Sequence, residues 1–150
     1  MTAADEQRAV PVADAELACP ARPECLDEVH GLLASLWDAA PDVALEDRMM
    51  FELAVVEIAG NVVEHAGGDS AGGEPGPVQL VLRVAVHRDR LEARLHDDGT
   101  VALVDLARAQ LPADPLAESG RGLALALASG RLTYAREGGA NVWCLVRARA

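Results

Sequence analysis

The chain has 150 residues, 51% of them hydrophobic, which is enough for one domain with one core. Its formal net charge of -11 argues against nucleic acid as a partner, because proteins bind a phosphate backbone through Lys and Arg. The same charge argues against an anionic membrane surface, whereas a basic protein partner is compatible with it.

The cysteines and the N-terminal segment predict a compartment. Cys19, Cys25 and Cys144 are odd in number and lack a repeated spacing, so they do not form a disulfide framework. Cys19 and Cys25 could pair, whereas Cys144 lies in an apolar run and is interpreted as a core residue. The segment MTAADEQRAV has no apolar signal core, and no apolar run approaches ~18 residues. We therefore expect a soluble, reduced, cytoplasmic protein with no membrane-spanning segment.

In chain order, residues 1–12 are predicted to be a flexible tail and residues 13–150 one domain. Apolar periodicity and the positions of Gly and Pro define the predicted elements. These are a strand at 15–19, a helix from 24 that closes at 41, a helix at 45–66, a hairpin with strands at 78–87 and 91–96, short helices at 101–110 and 123–128, and a final hairpin over 131–150. Hairpins mixed with helices predict an α+β sandwich, in which helices cover one face of a mostly antiparallel sheet.

Polar residues interrupt the second predicted helix in the segment FELAVVEIAGNVVEHA. Four residues turn a helix by ~40° beyond one turn and seven fall ~20° short of two, so Glu57, Asn61 and Glu64 form one stripe with His65 at its edge. A carboxylate and an amide one turn apart can share a cation or a ligand. A solvated helix face explains the stripe equally well, and His65 is also compatible with a cap or a packed residue. The apolar remainder of the helix favours a stripe that faces a cavity.

Two glycine-containing segments supply further candidate residues. Asp97 follows a predicted strand and can accept a hydrogen bond from an amino group such as that of adenine, while Gly99 lets the backbone approach a flat ring. Gly120, Arg121 and Gly122 precede a predicted helix, whose free N–H groups favour phosphate, and Arg121 can add a charge-assisted contact. Each segment alone is equally compatible with an ordinary turn or helix cap.

The order and spacing of these segments resemble the GHKL nucleotide-binding superfamily, and the size of the chain is most like that of the bacterial anti-sigma-factor serine/threonine kinases. The resemblance covers residues 14–148. LACPARPECLDEVHGLLASLWDAA is similar to the opening of those kinases, FELAVVEIAGNVVEHA to the N-box helix, HDDGT and ESGRGLALA to the two glycine boxes, and NVWCLV to the final strand. The resemblance implies a Bergerat-type two-layer α/β sandwich with ATP between the helices and the sheet.

The resemblance also implies roles for individual residues. Glu57 would be the general base that takes the proton from a protein serine or threonine hydroxyl, Asn61 would ligate Mg2+, and Asp97 would bind the adenine amino group. The other expected nucleotide-binding residues are His65, Gly99, Gly120, Arg121 and Gly122. The implied partners are a sigma factor and an anti-sigma-factor antagonist that is phosphorylated, and a homodimer is compatible with the sequence.

Two positions depart from the pattern of the superfamily. Val101 replaces the second glycine of Asp-x-Gly-x-Gly, and Gly60 stands before Asn61, where Thr or Ser is frequent. These departures favour an alternative function, a switch module that binds nucleotide or partners without phosphoryl transfer. A third hypothesis is a metal-dependent hydrolase built on Glu57, Asn61 and His65. Asn is a poor ligand for transition metals, and no further His or Cys cluster completes a zinc site.

Overall fold

The computed structural model describes residues 10–65, 78–99, 124, 126 and 128–150. The predicted helix at 101–110 and the glycine-rich segments at 67–77 and 111–122 lie outside these residues, as does part of the predicted helix at 123–128. The predicted strands and the two long predicted helices are confirmed within a few residues at their ends. The elements are β1 (Ala13–Pro20), α1 (Pro23–Ala39), α2 (Leu45–His65), β2 (Gln79–Val86), β3 (Arg90–Asp97), β4 (Arg131–Glu137) and β5 (Ala140–Ala148).

The described strands form one antiparallel sheet in the order β1-β2-β3-β5-β4. Side chains alternate between its two faces, so that Leu82, Leu95 and Leu145 all point into the core. Helix α1 packs against β1, and α2 packs against β3 and β5. The predicted α+β sandwich, with helices on a mostly antiparallel sheet, is therefore confirmed.

Each helix presents an apolar face to this core. Helix α1 begins with Pro23, where a missing N–H costs no intrahelical hydrogen bond, and its buried residues recur at three- and four-residue steps. Trp37 of α1 meets Phe51 of α2 edge to face, with ring centroids 6.0 Å apart. This contact joins the two helices. In the part of the chain that is described, neither helix is long and apolar enough to cross a membrane.

The structure determines the state of the cysteine pair that the sequence left open, and it differs from the prediction for Cys144. Cys19 and Cys25 are joined in a disulfide, since the end of β1 and the first turn of α1 place their Cα atoms 6.0 Å apart. The prediction of a fully reduced chain is therefore wrong for this pair. Cys144 is half-buried rather than a core residue. Its neighbours Trp143 and Leu145 point toward the helices, and the alternation of the strand turns Cys144 to the outer face.

Candidate functional site

Two buried polar residues lie at one end of the inner face of the sheet. Asp97 ends β3, Asn141 lies near the start of β5, and the two are direct partners in the antiparallel register. Asp97 is 5% exposed and Asn141 is 2% exposed. Burying a carboxylate is costly unless it is hydrogen-bonded, so the contacts of Asp97 determine what this end of the sheet can do.

Both hydrogen bonds to the Asp97 side chain reach the same carboxylate oxygen. Oδ1 accepts from Asn141 Nδ2 at 2.8 Å and from the Gly99 backbone N–H at 3.1 Å. No hydrogen bond to Oδ2 occurs within the described ranges. Oδ2 can therefore accept an N–H from a ligand, and an exocyclic amino group such as that of adenine supplies one. The residues present fit the role that the sequence predicted for Asp97.

The turn that follows Asp97 is held from two sides. Asp98 Oδ1 accepts from the Gln79 backbone N–H at 2.7 Å, and Arg136 Nη1 donates to the Gly99 carbonyl oxygen at 2.7 Å. Gly99 is buried, and a Cβ added there would lie 2.9 Å from Asp97 Oδ1. A residue with a Cβ at this position would therefore displace the carboxylate of Asp97.

Residues of the final hairpin surround Asn141. Its Oδ1 accepts from the Tyr134 hydroxyl and, at 3.1 Å, from Arg136 Nη1. The Tyr134 ring also packs on Trp143, with ring centroids 4.7 Å apart. Asn141, Tyr134 and Arg136 are not among the site residues predicted from the sequence. The alternation of side chains along a strand could have identified Asn141. In NVWCLV, Asn141 and Trp143 lie on the same face of the strand, so Asn141 is a polar residue at a core-facing position.

The other predicted residues of the described site lie on α2. Glu57 and Asn61 are one turn apart and half-buried, while Glu64 is exposed, so the predicted stripe runs out into solvent. Gly60 has open space, since an added Cβ would meet no atom within 4 Å. Helix α2 packs on β3 and β5. Glu57 and Asn61 therefore lie on the helix that covers the two strands that carry Asp97 and Asn141.

Several predicted site residues cannot be placed against this geometry. His65 is the last residue of α2, but its side chain lies outside the described residues. Gly120, Arg121 and Gly122 also lie outside them, as does Val101. Their proposed contacts with nucleotide stay predictions.

A cluster of potential metal ligands lies elsewhere. Among the described residues, Cys19, Cys25 and Glu28 bring ligand atoms within 4.8 Å of one another. The two sulfurs are joined in the disulfide and offer no thiolate. Glu57 belongs to no such cluster among the described residues, and the side chain of His65 lies outside them, so the metal-dependent hydrolase stays a hypothesis.

Comparison with known proteins identifies the family of the chain. The sequence profile of the histidine kinase-like ATPase domain matches residues 19–144, a range that includes α2, the turn at Asp97–Gly99 and Asn141. A search of the curated proteins gave no match. Because the profile covers most of the chain, the chain belongs to the histidine kinase-like ATPase domain family, which has the GHKL-type fold that binds ATP.

Proposed function

We propose that the chain is an Mg2+-dependent anti-sigma regulatory factor that uses ATP to phosphorylate a serine or threonine of an anti-sigma-factor antagonist, and that it also binds a sigma factor. The nucleotide site rests on one observation, the buried carboxylate of Asp97. Its Oδ1 accepts two hydrogen bonds, whereas its Oδ2 is open to a ligand. Membership in a family of kinase-like ATPases supports the transfer of phosphate from the bound nucleotide.

Glu57 and Asn61 are the residues proposed to serve the transfer. The side-chain oxygen of Asn61 is a ligand type that Mg2+ accepts, and the ion offsets the negative charge of the phosphates when it is bound. Glu57 lies one turn before Asn61 and is half-buried, so a substrate hydroxyl at this flank of α2 can give its proton to the Glu57 carboxylate. The sequence contains no lysine, so any cationic side-chain contact to phosphate comes from arginine, for which Arg121 is the predicted residue.

An exposed apolar row on α2 supports a protein as the second substrate. Leu45, Met49 and Leu53 follow one another at four-residue steps and are 70%, 60% and 39% exposed. The next step along the helix is Glu57, so a protein that covers this row brings its surface to the proposed base. The exposed Glu46 beside the row and the net charge of -11 favour a partner surface with basic residues around an apolar centre.

Phosphoryl transfer tests the proposal directly. Purified protein is incubated with Mg2+, labelled ATP and an anti-sigma-factor antagonist, with a Ser→Ala antagonist as the blank. We expect Glu57→Gln to lower the rate of phosphorylation by about 10²-fold or more while ATP affinity changes by only a few-fold. The matched control is Glu64→Gln, because Glu64 is an exposed acid on the same helix. A normal rate for Glu57→Gln would show that Glu57 is not the base.

Nucleotide binding separates the proposal from its alternative. Asn61→Ala should lower the affinity for ATP measured with Mg2+ and leave the affinity without Mg2+ nearly unchanged. Wild-type protein that binds ATP without transferring phosphate would favour the switch module, for which the lack of a side chain at Gly60 is the structural motive. Wild-type protein with no affinity for ATP would overturn the proposal. The homodimer stays a prediction, which light scattering of the purified chain would test.

A further inference from the structure

We propose that Arg136 and Tyr134 of β4 are positioning residues that make the Asp97 site select a 6-aminopurine over a 6-oxopurine, because they fix the orientation of the Asn141 amide. This inference rests on the proposed nucleotide site at Asp97 and adds the residues that set its preference for the base. Neither β4 residue has to touch the nucleotide for this effect.

The Asn141 amide has two orientations of almost equal shape, and its neighbours determine which one is occupied. Arg136 can only donate, so it requires the amide oxygen on its side, where Nη1 lies 3.1 Å from Oδ1. The amide nitrogen then points to Asp97 Oδ1 at 2.8 Å. In the opposite orientation the amide nitrogen would face the guanidinium and the amide oxygen would face the carboxylate, so both contacts would be repulsive.

Tyr134 supports the same orientation from the neighbouring position on β4. Its hydroxyl donates to Asn141 Oδ1, and its ring is held against Trp143. The hydroxyl can also accept a hydrogen bond, whereas the guanidinium cannot, so Arg136 has the larger influence on the amide. Tyr134→Phe is therefore expected to act in the same direction as loss of Arg136, and more weakly.

Arg136 also connects the amide to the turn that follows Asp97. The same Nη1 atom donates to the Gly99 carbonyl oxygen at 2.7 Å, and the Gly99 N–H donates to Asp97 Oδ1 at 3.1 Å. Asp97, Gly99, Arg136 and Asn141 thus form a closed ring of hydrogen bonds. Two donors converge on Oδ1 in this ring, which fixes the plane of the carboxylate and therefore the direction in which Oδ2 points.

The ring leaves Oδ2 as the oxygen that meets the ligand, and Oδ2 can only accept while the carboxylate is ionised. A purine with an amino group at C6 donates to it. A purine with an oxo group at C6 places one lone pair against another in the same position. Its N1–H can donate to Oδ2 only after the base shifts, so we expect weaker binding. If the Asn141 amide turns over, Oδ1 loses a donor and faces the amide oxygen instead. The carboxylate then tilts, Oδ2 no longer has a fixed direction, and this discrimination falls.

Calorimetric titration with ATP and with inosine triphosphate, both with Mg2+, tests the inference, because the two nucleotides differ in the group at C6. We expect wild-type protein to prefer ATP by at least about tenfold in Kd, and Arg136→Met to reduce the preference to about threefold or less. Tyr134→Phe should give an intermediate ratio, and Arg136→Lys should restore part of the preference because an ammonium also only donates. The matched control is Arg131→Met, since Arg131 is an exposed arginine on the same strand and should leave the ratio unchanged.

The ratio of the two affinities distinguishes positioning from a general effect on folding. If Arg136→Met weakens ATP and inosine triphosphate by the same factor, Arg136 only supports the fold and the inference is overturned, while the nucleotide site stands. If wild-type protein binds neither nucleotide, the Asp97 site itself is overturned together with the inference. Tyr134→Phe removes a single oxygen atom, so an unchanged ratio in this variant would contradict the role of Tyr134 even if Arg136→Met failed to fold.

Discussion

Asp47 and Asp97 are both buried acids that receive a hydrogen bond from a side chain of β5, yet their surroundings differ. Asp47, in the first turn of α2, accepts from Arg147 Nε on Oδ1 and from the Ala150 backbone N–H on Oδ2, both at 3.0 Å. Both of its oxygens are filled, and a cation balances its charge. Within the described part of the chain, Asp97 has two neutral donors on one oxygen and none on the other. A buried acid with closed contacts stabilises a fold, whereas one with an open oxygen is suited to a ligand.

The elements that each aspartate joins agree with a stabilising role for Asp47 and a ligand-binding role for Asp97. Arg147 contacts Asp47 and also donates through Nη1 to the Ser129 carbonyl oxygen at 2.7 Å, so it connects α2, β5 and the segment before β4. Among the described residues, the side chain of Asp97 instead hydrogen-bonds only to its own turn and to the adjacent strand β5. Substitution should therefore lower the free energy of unfolding at Asp47 and the affinity for nucleotide at Asp97.

The largest expected effect is the loss of stability on Asp47→Ala. The substitution leaves the guanidinium of Arg147 without its buried partner, which should lower the free energy of unfolding by about 3–5 kcal/mol. Urea unfolding followed by circular dichroism measures this change. The ion pair between Asp42 and Arg149 provides the matched control. The Asp42 side chain is 73% exposed, so Asp42→Ala should cost less than about 1 kcal/mol.

A double variant examines the reason for that loss. Asp47→Leu combined with Arg147→Met removes both charges, and we expect it to be more stable than Asp47→Ala because no buried charge is left unpaired. If the double variant is instead no more stable than the single one, then packing around Asp47, and not its ion pair with Arg147, holds this end of the fold.

Asp97→Asn should have the opposite effect from Asp47→Ala, a large change in ATP affinity and a small change in stability. The amide replaces Oδ2 or Oδ1 with a donor, so we expect ATP affinity to fall by about 10²-fold, while the free energy of unfolding changes by less than about 1.5 kcal/mol. Titration calorimetry and urea unfolding of the same sample check both parts. Asp98→Asn is the control, because Asp98 is the neighbouring acid of the same turn and bonds the Gln79 N–H instead. A loss of stability as large as that of Asp47→Ala would remove the distinction between the two aspartates.

The sequence predicted one of these aspartates and not the other, for physical reasons. Asp97 ends an alternating strand two residues before a glycine, and local periodicity reveals that position. Asp47 resembles an ordinary acid in the first turn of a helix, and its partner Arg147 is 100 residues away along the chain. The helices and strands follow from local periodicity, whereas the contacts of Asn141, Tyr134 and Arg136 depend on the register of β3, β4 and β5. The alternation of β5 already placed Asn141 on the inner face, but nothing local placed it opposite Asp97.

Two glycines extend the comparison with a smaller expected effect. A Cβ at Gly99 would press on Asp97 Oδ1, a side-chain atom that can move, so Gly99→Ala should lower ATP affinity by about tenfold with little loss of stability. A Cβ at Gly130 would collide with the Val146 carbonyl oxygen, a backbone atom that cannot yield in the same way. Gly130→Ala should therefore destabilise the fold by about 1–3 kcal/mol and leave the affinity of the folded protein unchanged. Titration calorimetry and urea unfolding measure both effects. A loss of stability in Gly99→Ala together with a loss of ATP affinity in Gly130→Ala would contradict this reasoning.

The smallest expected effect concerns His96, which precedes Asp97 and lies half-buried on the outer face of β3. Burial lowers the pKa of His96 below its usual value, and the charges of Arg94 and Arg83 lower it further, against an opposing effect of Glu137. Arg94 Nε donates to His96 Nε2 at 3.0 Å, a bond that requires the neutral imidazole. As the pH falls below about 6.5, the unfolded chain takes up a proton at His96 before the folded chain does, so stability decreases with falling pH.

Urea unfolding between pH 8 and pH 5 measures this dependence. We expect His96 to account for a decrease of less than about 1 kcal/mol, because its neighbours are partly exposed and screened by solvent. His96→Gln keeps an acceptor for Arg94 but cannot be protonated, so it should flatten the part of the curve below about pH 6.5 that is due to this residue. Since His96 points away from the face that carries Asp97, the ratio of ATP to inosine triphosphate affinity should be the same in His96→Gln as in wild type. A changed ratio would show that the outer face of β3 also contributes to the base preference. The difference between Asp47 and Asp97 would then depend on residues on both faces of the sheet.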